Sequence, residues 1–289
     1  MIAIVKKEVR TYFSSLIGYI FLAGFLFLLG MFFVDNNLYF QNTNFVATLA
    51  RHETLYIFLI IIPLLTMQLF SEEQKLKTDQ LLFSSSIGIG SIVLGKYFGA
   101  LILFLVALVL SLALPFMLSL FGNIVLGQTI SMYIGFALLG MAFISIGLFI
   151  ACLSKSPVIS AIVSFVAIYL FFVIDSIALS MPMDRLSSAL FLGVLAFLAS
   201  MVVYDATKNL ITAAALFGTL ISAGVIIYFV EPTFYDAAMP RILLWLSLLS
   251  RLSEFGAGIF NISHILFYLT FSAVFIYLTV NTIEKRRWR

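Results

Sequence analysis

Three groups of residues have types and spacing that could do chemistry. Gly90, four residues, Gly95 and Lys96 match most of a phosphate-binding loop. In such a loop backbone amides cradle phosphates, a lysine reaches them, and a following Ser or Thr holds magnesium. Here Tyr97 stands where the hydroxyl belongs, and the preceding SSSIGIG has no strand pattern. The stretch reads instead as a helix break at Gly88 and Gly90, with Lys96 anchoring a span at the interface through its long stem. The adjacent Glu72 and Glu73 would suit an intramembrane metalloprotease, which needs about three protein ligands on zinc. Only two histidines exist, His52 and His264, and both read as surface or interface residues. Serines are plentiful, but no G-x-S-x-G elbow occurs. The single cysteine, Cys152, excludes an internal disulfide and reads as a small core residue in an apolar run.

The elements that must carry these residues are set by composition. Of 289 residues, 63% are hydrophobic and 10% charged, against about 45–50% and about 25% in soluble domains. Mean hydropathy is +1.17. No soluble fold of this length hides so much apolar surface, so lipid is the solvent for most of it. A net charge of +3 is too small to argue for nucleic acid, and no nucleic-acid partner is expected. The start, MIAIVKKEVRTYF, lacks the short apolar core and small-residue cleavage site of a secretory signal, so the first helix is expected to be retained.

Backbone in lipid must satisfy itself, so apolar runs of about 20 residues read as helices. The runs are 16–34, 55–70, 92–121, 129–153, 158–180, 187–204, 210–230 and 265–283. They predict an all-α integral membrane protein, a polytopic bundle of six to eight transmembrane helices, the number depending on whether the pair after residue 186 spans. Pro63 and Pro115 are expected to kink their helices. Asp175 and Gln68 are the sparse polar residues near span ends, a thin signature for ion-coupled transport. With both termini cytoplasmic, twelve of the sixteen basic residues fall on the inner side and four on the outer, as the positive-inside rule requires.

Three segments do not span. Residues 3–15 mix Ile4, Val5, Val9, Tyr12 and Phe13 with Lys6, Lys7, Glu8 and Arg10, the pattern of an N-terminal interfacial elbow helix. Residues 71–91 form the largest cytoplasmic loop between spans. Residues 231–264 form the largest outer segment, where Pro240 is expected to open short helices dipping toward the outer leaflet. Lys6, Lys7, Arg10, Lys96, Arg286 and Arg287 are the expected interfacial anchors. A chain that spans repeatedly and has no energy source of its own asks for a partner that supplies one.

Three stretches resemble the permeases of type-2 ATP-binding-cassette exporters, closest to the gliding-motility type. They are KKEVRTYFSSLIGYIF (6–21), PLLTMQLFSEEQKLKTDQLLFSSSIGIGSIVLGKYFGAL (63–101) and SRLSEFGAGIFNISHILFYLTFSAVFIYLTVNTIEKRRW (250–288). The resemblance implies a single permease domain over residues 1–289, in a bacterial inner or cytoplasmic membrane. It implies a homodimer or heterodimer with a second permease subunit, and a separate nucleotide-binding ATPase. ATP and magnesium would sit in that partner, with no cofactor, metal or catalytic residue in this chain. In the family pattern the cytoplasmic loop couples to the ATPase. Here that pattern is kept at Glu72, Glu73, Thr78, Leu81, Leu82, Gly95 and Lys96, and departs at Lys77, Gln80 and Ser86. The implied coupling interface is Glu72, Glu73, Lys75, Lys77, Thr78, Gln80, Leu81 and Leu82. The family core has six spans, so the pair over 187–230 would be an addition. The alternative reading is an ion-gradient-driven secondary transporter or channel.

Overall fold

A computed structural model describes residues 1–77, 88–230 and 232–287, the side chains of residues 206, 232 and 287 excepted. Among the described residues the chain is an all-α polytopic membrane bundle with no strand. Seven helices among the described residues are long and apolar enough to cross a bilayer. By packing, the chain divides into two compact units, residues 1–170 with 251–289, and residues 171–250.

The first unit opens with α1 (Ile2–Ser14), which turns at Ser15 into α2 (Leu16–Phe33). On α1 the buried residues are Ile4, Glu8 and Tyr12, one stripe at four-residue spacing, so the inward face carries a carboxylate. Spacing assigned Glu8 to the wet face with Lys6 and Lys7; the structure turns it inward. In α2 a narrow stripe of Phe21, Phe25, Leu29 and Phe33 enters the bundle, and the rest of the helix is left for lipid. A π-helical segment, Val34–Tyr39, extends it.

The expected second span over 55–70 is shorter and broken. Two short helices, α3 (Phe45–Ala50) and α4 (His52–Leu55), precede it; within it only α5 (Ile57–Thr66) is helical beyond Leu55, and residues 67–70 are turns. Pro63 lies inside α5, which ends three residues later. The short helix is tolerated because protein, not lipid, surrounds it. Phe58 lies 4.5 Å from Phe136, 5.6 Å from Phe143 and 6.0 Å from Phe104, ring centre to ring centre. The Tyr12 hydroxyl donates to the Leu65 carbonyl at 2.8 Å, satisfying the end of α5. Burial, and next the Glu8 carboxylate, push that hydroxyl far above its ordinary pKa, so it remains a donor.

After α6 (Ser71–Lys75) comes the third span, α7 (Ile89–Ser111) and α8 (Ala113–Ser119). The break at Leu112 has a cause in sequence. Pro115 has no N–H to offer the carbonyl four residues back, which is Ser111. The Tyr133 hydroxyl takes that carbonyl at 3.1 Å. Tyr133 belongs to α9 (Leu126–Leu153), the central helix of the unit. The first unit also holds the start of α10 (Pro157–Ser180) and, after its return to the bundle, α15 (Ile262–Arg287) along α9.

The second unit takes the end of α10, then α11 (Arg185–Thr207) and α12 (Leu210–Val230). Asp184 caps α11, accepting from the Ser187 N–H and hydroxyl, both at 3.0 Å. Lys208, in the left-handed region at φ 52°, and Asn209 suffice to reverse the chain between α11 and α12. A 3₁₀ turn (Pro232–Tyr235) and α13 (Ala238–Leu246) follow, and α14 (Leu249–Gly256) leads back to the first unit. Pro240 sits third in α13 rather than opening it, still within the turn whose amides need no partner. The helical segment expected from Pro240 onward is two helices, parted at Ser247 and Leu248.

Candidate functional site: a buried ion cluster on the loop helix

Where α1, α6 and α7 meet, four charges gather. The Lys96 ammonium lies 3.0 Å from Glu73 Oε1 and 3.2 Å from Glu8 Oε1. Lys7 reaches the same Glu73 oxygen at 3.2 Å and Glu8 at 3.8 Å. Two ammonium groups thus meet two carboxylates, and the formal charges cancel. Lys96 is only 1% exposed, and its ammonium also stands 5.1 Å from the centre of the Phe70 ring. The expected snorkelling anchor is therefore the centre of a buried ion cluster. The reason is that α1 lies across its exit route to water.

Two glycines make that approach possible. A Cβ on Gly95 would stand 2.7 Å from Ile4 Cγ2, and one on Gly99 would stand 2.6 Å from Glu8 Cβ. These distances are too short for any side chain, so the Gly95-x-x-x-Gly99 spacing lets α1 settle onto α7. Close helix approach over small residues is the usual device in membranes. The phosphate-loop lookalike is explained by the same packing. Gly90, Gly95 and Lys96 all lie inside α7, and the Ser91 and Ile92 amides bond back to the Gly88 carbonyl.

The short α6 is held from two sides. Glu73 joins it to α1 and α7, while the Gln74 side-chain amide donates to the Cys152 carbonyl at 2.8 Å, at the end of α9. Glu72, Lys75 and Lys77 face solvent. Glu72 and Glu73 in the first turn and Lys75 in the last also suit the helix dipole. Thr78, Gln80, Leu81 and Leu82 lie outside the described residues. Lys6 and Arg10 are exposed on α1. Arg286 is exposed and its guanidinium reaches the Leu153 carbonyl at 3.5 Å; the Arg287 side chain lies outside the described set.

Sequence reasoning missed Glu8 as a site residue. Its place midway between Ile4 and Tyr12 was the available signal. It also missed a second polar network, at the end of α2. Thr48 donates to the Asn37 Oδ1 at 2.7 Å, Asn37 donates to the Asn42 carbonyl at 2.7 Å, and Arg51 donates to Asn36. His52 is exposed on α4, and His264 Nδ1 stands 3.3 Å from Glu254 Oε2. Among the described residues no three His, Cys, Asp or Glu side chains gather as metal ligands.

The chain matches no family model, no curated protein and no solved structure. What the cluster can do follows from its geometry alone. It fixes a short solvent-facing helix to two other helices through ions of which Lys96 and Glu8 are buried. Moving α6 without moving α1 and α7 would strand charge in a medium that solvates it poorly.

Proposed function

We propose that this chain is the membrane-spanning permease subunit of an ATP-binding-cassette exporter, driven by a separate nucleotide-binding ATPase and paired with a second permease. The observation that supports this reading best is the tie from Glu73 on α6 to Lys96 on α7 and Glu8 on α1. An ATPase seated on the exposed face of α6, at Glu72, Lys75 and Lys77, would push on a helix that cannot slip. Its rigid-body motion would pass through the cluster into the first and third spans and alternate access across the bundle. On this reading ATP and magnesium belong to the partner, and the bacterial cytoplasmic membrane is the site of action. The substrate follows from none of these residues.

The test is co-purification of an ATPase subunit with the full chain in mild detergent. Glu72→Lys combined with Lys75→Glu reverses the exposed charges without touching the cluster, and is expected to lose the ATPase. Undiminished binding by that variant would overturn the contact, and ATP hydrolysis by the chain alone would overturn the class. The buried Lys96 also favours a second reading, an ion-gradient-driven carrier or channel, since buried ionisable groups mark ion paths in membranes. Gradient-driven uptake into vesicles holding this chain and no ATPase would select it.

A further inference from the structure

The second unit contains a feature that neither the ion cluster nor the proposed coupling uses. Its helices α11 and α12 are mostly apolar, yet the protein buries only 11% and 6% of their hydrophobic windows. Two grooves flank the pair, one of about 540 Å³ and one of about 660 Å³. Ala189, Gly193, Ile221 and Tyr228 line both, so a thin wall of helix contact separates them. The walls are hydrocarbon apart from tyrosine hydroxyls, and that of Tyr235 is spent on the Gly224 carbonyl at 2.7 Å.

At one end of the grooves the chemistry changes. Arg185 opens α11, four residues before Ala189, and grips Asp236, with Nε to Oδ1 at 2.6 Å and Nη2 to Oδ2 at 3.4 Å. Asp236 follows Tyr235, which lines the first groove. Arg241 is exposed, and its Nη2 reaches the Asp236 carbonyl at 3.4 Å. The carboxylates here are already engaged, Asp184 as the cap of α11 and Asp236 by Arg185. Arg185 spends Nε and Nη2 on Asp236, so the exposed guanidinium of Arg241, with the half-exposed Arg185 on the same Asp236, is left to meet an anion next to the groove-lining Leu186 and Tyr235.

We propose that the second unit binds one bilayer phospholipid, its phosphate on Arg241 and Arg185 and one acyl chain in each groove. Two hydrocarbon grooves whose linings adjoin Arg185 at Leu186 and Asp236 at Tyr235 suit a two-chain anionic amphiphile. Arginine suits phosphate because its planar fork donates two bonds at once. The inference is independent of what drives transport.

Gly193 supplies the decisive variant. A Cβ there meets nothing closer than Ile221 Cδ1 at 3.9 Å, so Gly193→Leu puts a branched side chain into the lining that both grooves share, without a backbone clash. Gly218 has open space around it and lines neither groove, so Gly218→Leu is the control for folding and for a leucine on this helix pair. The full chain is purified in detergent, washed, and its phospholipid content counted by mass spectrometry. Wild type and Gly218→Leu are expected to retain phospholipid, and Gly193→Leu and Arg241→Ala to retain about tenfold less. Added phosphatidylglycerol should raise the melting temperature of wild type more than that of Arg241→Ala, and inorganic phosphate should not. Equal retention by Gly193→Leu overturns the proposal, as does protection by inorganic phosphate alone. Loss of a dimer in Gly193→Leu with lipid content unchanged would give the grooves to a second copy and overturn it too.

Discussion

Two ion pairs of nearly equal length serve opposite purposes in the two units. Lys96 and Glu73 lie 3.0 Å apart with the lysine side chain 2% exposed, whereas Arg185 and Asp236 lie 2.6 Å apart with both side chains 48% exposed. The helices that carry them differ in the same sense: 44% of the hydrophobic window of the Lys96 span is buried in the protein, against 11% for α11. Distance alone therefore says little about what an ion pair does. In the first unit Lys96 is trapped under α1, and its ion pairs fix three helices to one another. In the second the charges stand at a surface, keep their water, and remain available to a ligand.

The sharpest way to break this contrast is to remove one buried charge. Lys96→Met leaves Glu8 and Glu73 with only the exposed Lys7 as a shared cation, and is expected to cost about 2–4 kcal/mol. Thermal or denaturant unfolding in detergent reads it. Adding Glu8→Gln and Glu73→Gln removes the stranded charge and should recover most of the loss. If the single variant is as stable as wild type, the cluster is not desolvated and the contrast between the units fails.

A smaller effect tests whether polar groups in the first unit are matched as closely as its ions. Tyr133→Phe deprives the Ser111 carbonyl of its donor and should cost about 1–3 kcal/mol. In a Pro115→Ala background the alanine N–H can take that carbonyl, so the same change should cost less than half as much. Equal losses in both backgrounds would show that Tyr133 does not compensate for the proline. A double-mutant cycle measures the difference directly.

How far the sequence revealed these features depends on whether each is local. The run 210–230 is observed as the helix Leu210–Val230, and the elbow expected over 3–15 is Ile2–Ser14. Both follow from apolar length or periodicity within one segment. The run 55–70 misled because hydropathy cannot distinguish a helix facing lipid from one wrapped in protein, and only the latter can be as short as α5. Lys96 misled for a related reason. Its long stem at a helix end invites snorkelling, but its partner Glu8 is 88 positions away, on a helix whose docking is set by Gly95 and Gly99. A glycine spacing that resembled a nucleotide motif was a packing signal. Thr78, Gln80, Leu81 and Leu82 were singled out by resemblance alone and lie outside the described residues.

The smallest expected effect belongs to the exposed pair, and its sign can be worked out. The hydrogen bonds from Arg185 hold the Asp236 carboxyl below its ordinary value. A depressed carboxylate stabilises the folded state above its unfolded pKa of about 3.9, and that contribution is lost as pH falls through the lower folded value. Because both side chains are half exposed, salt should screen most of it. Hydrogen exchange at the 3₁₀ turn and α13 should therefore quicken slightly below about pH 4, more at low salt than at high. Asp236→Asn should remove that acid response while leaving exchange around Tyr12 unchanged. If instead the acid response of α13 is large and insensitive to salt, the Arg185–Asp236 pair is shielded from water as Lys96 is, and the guanidinium is not free to receive a phosphate.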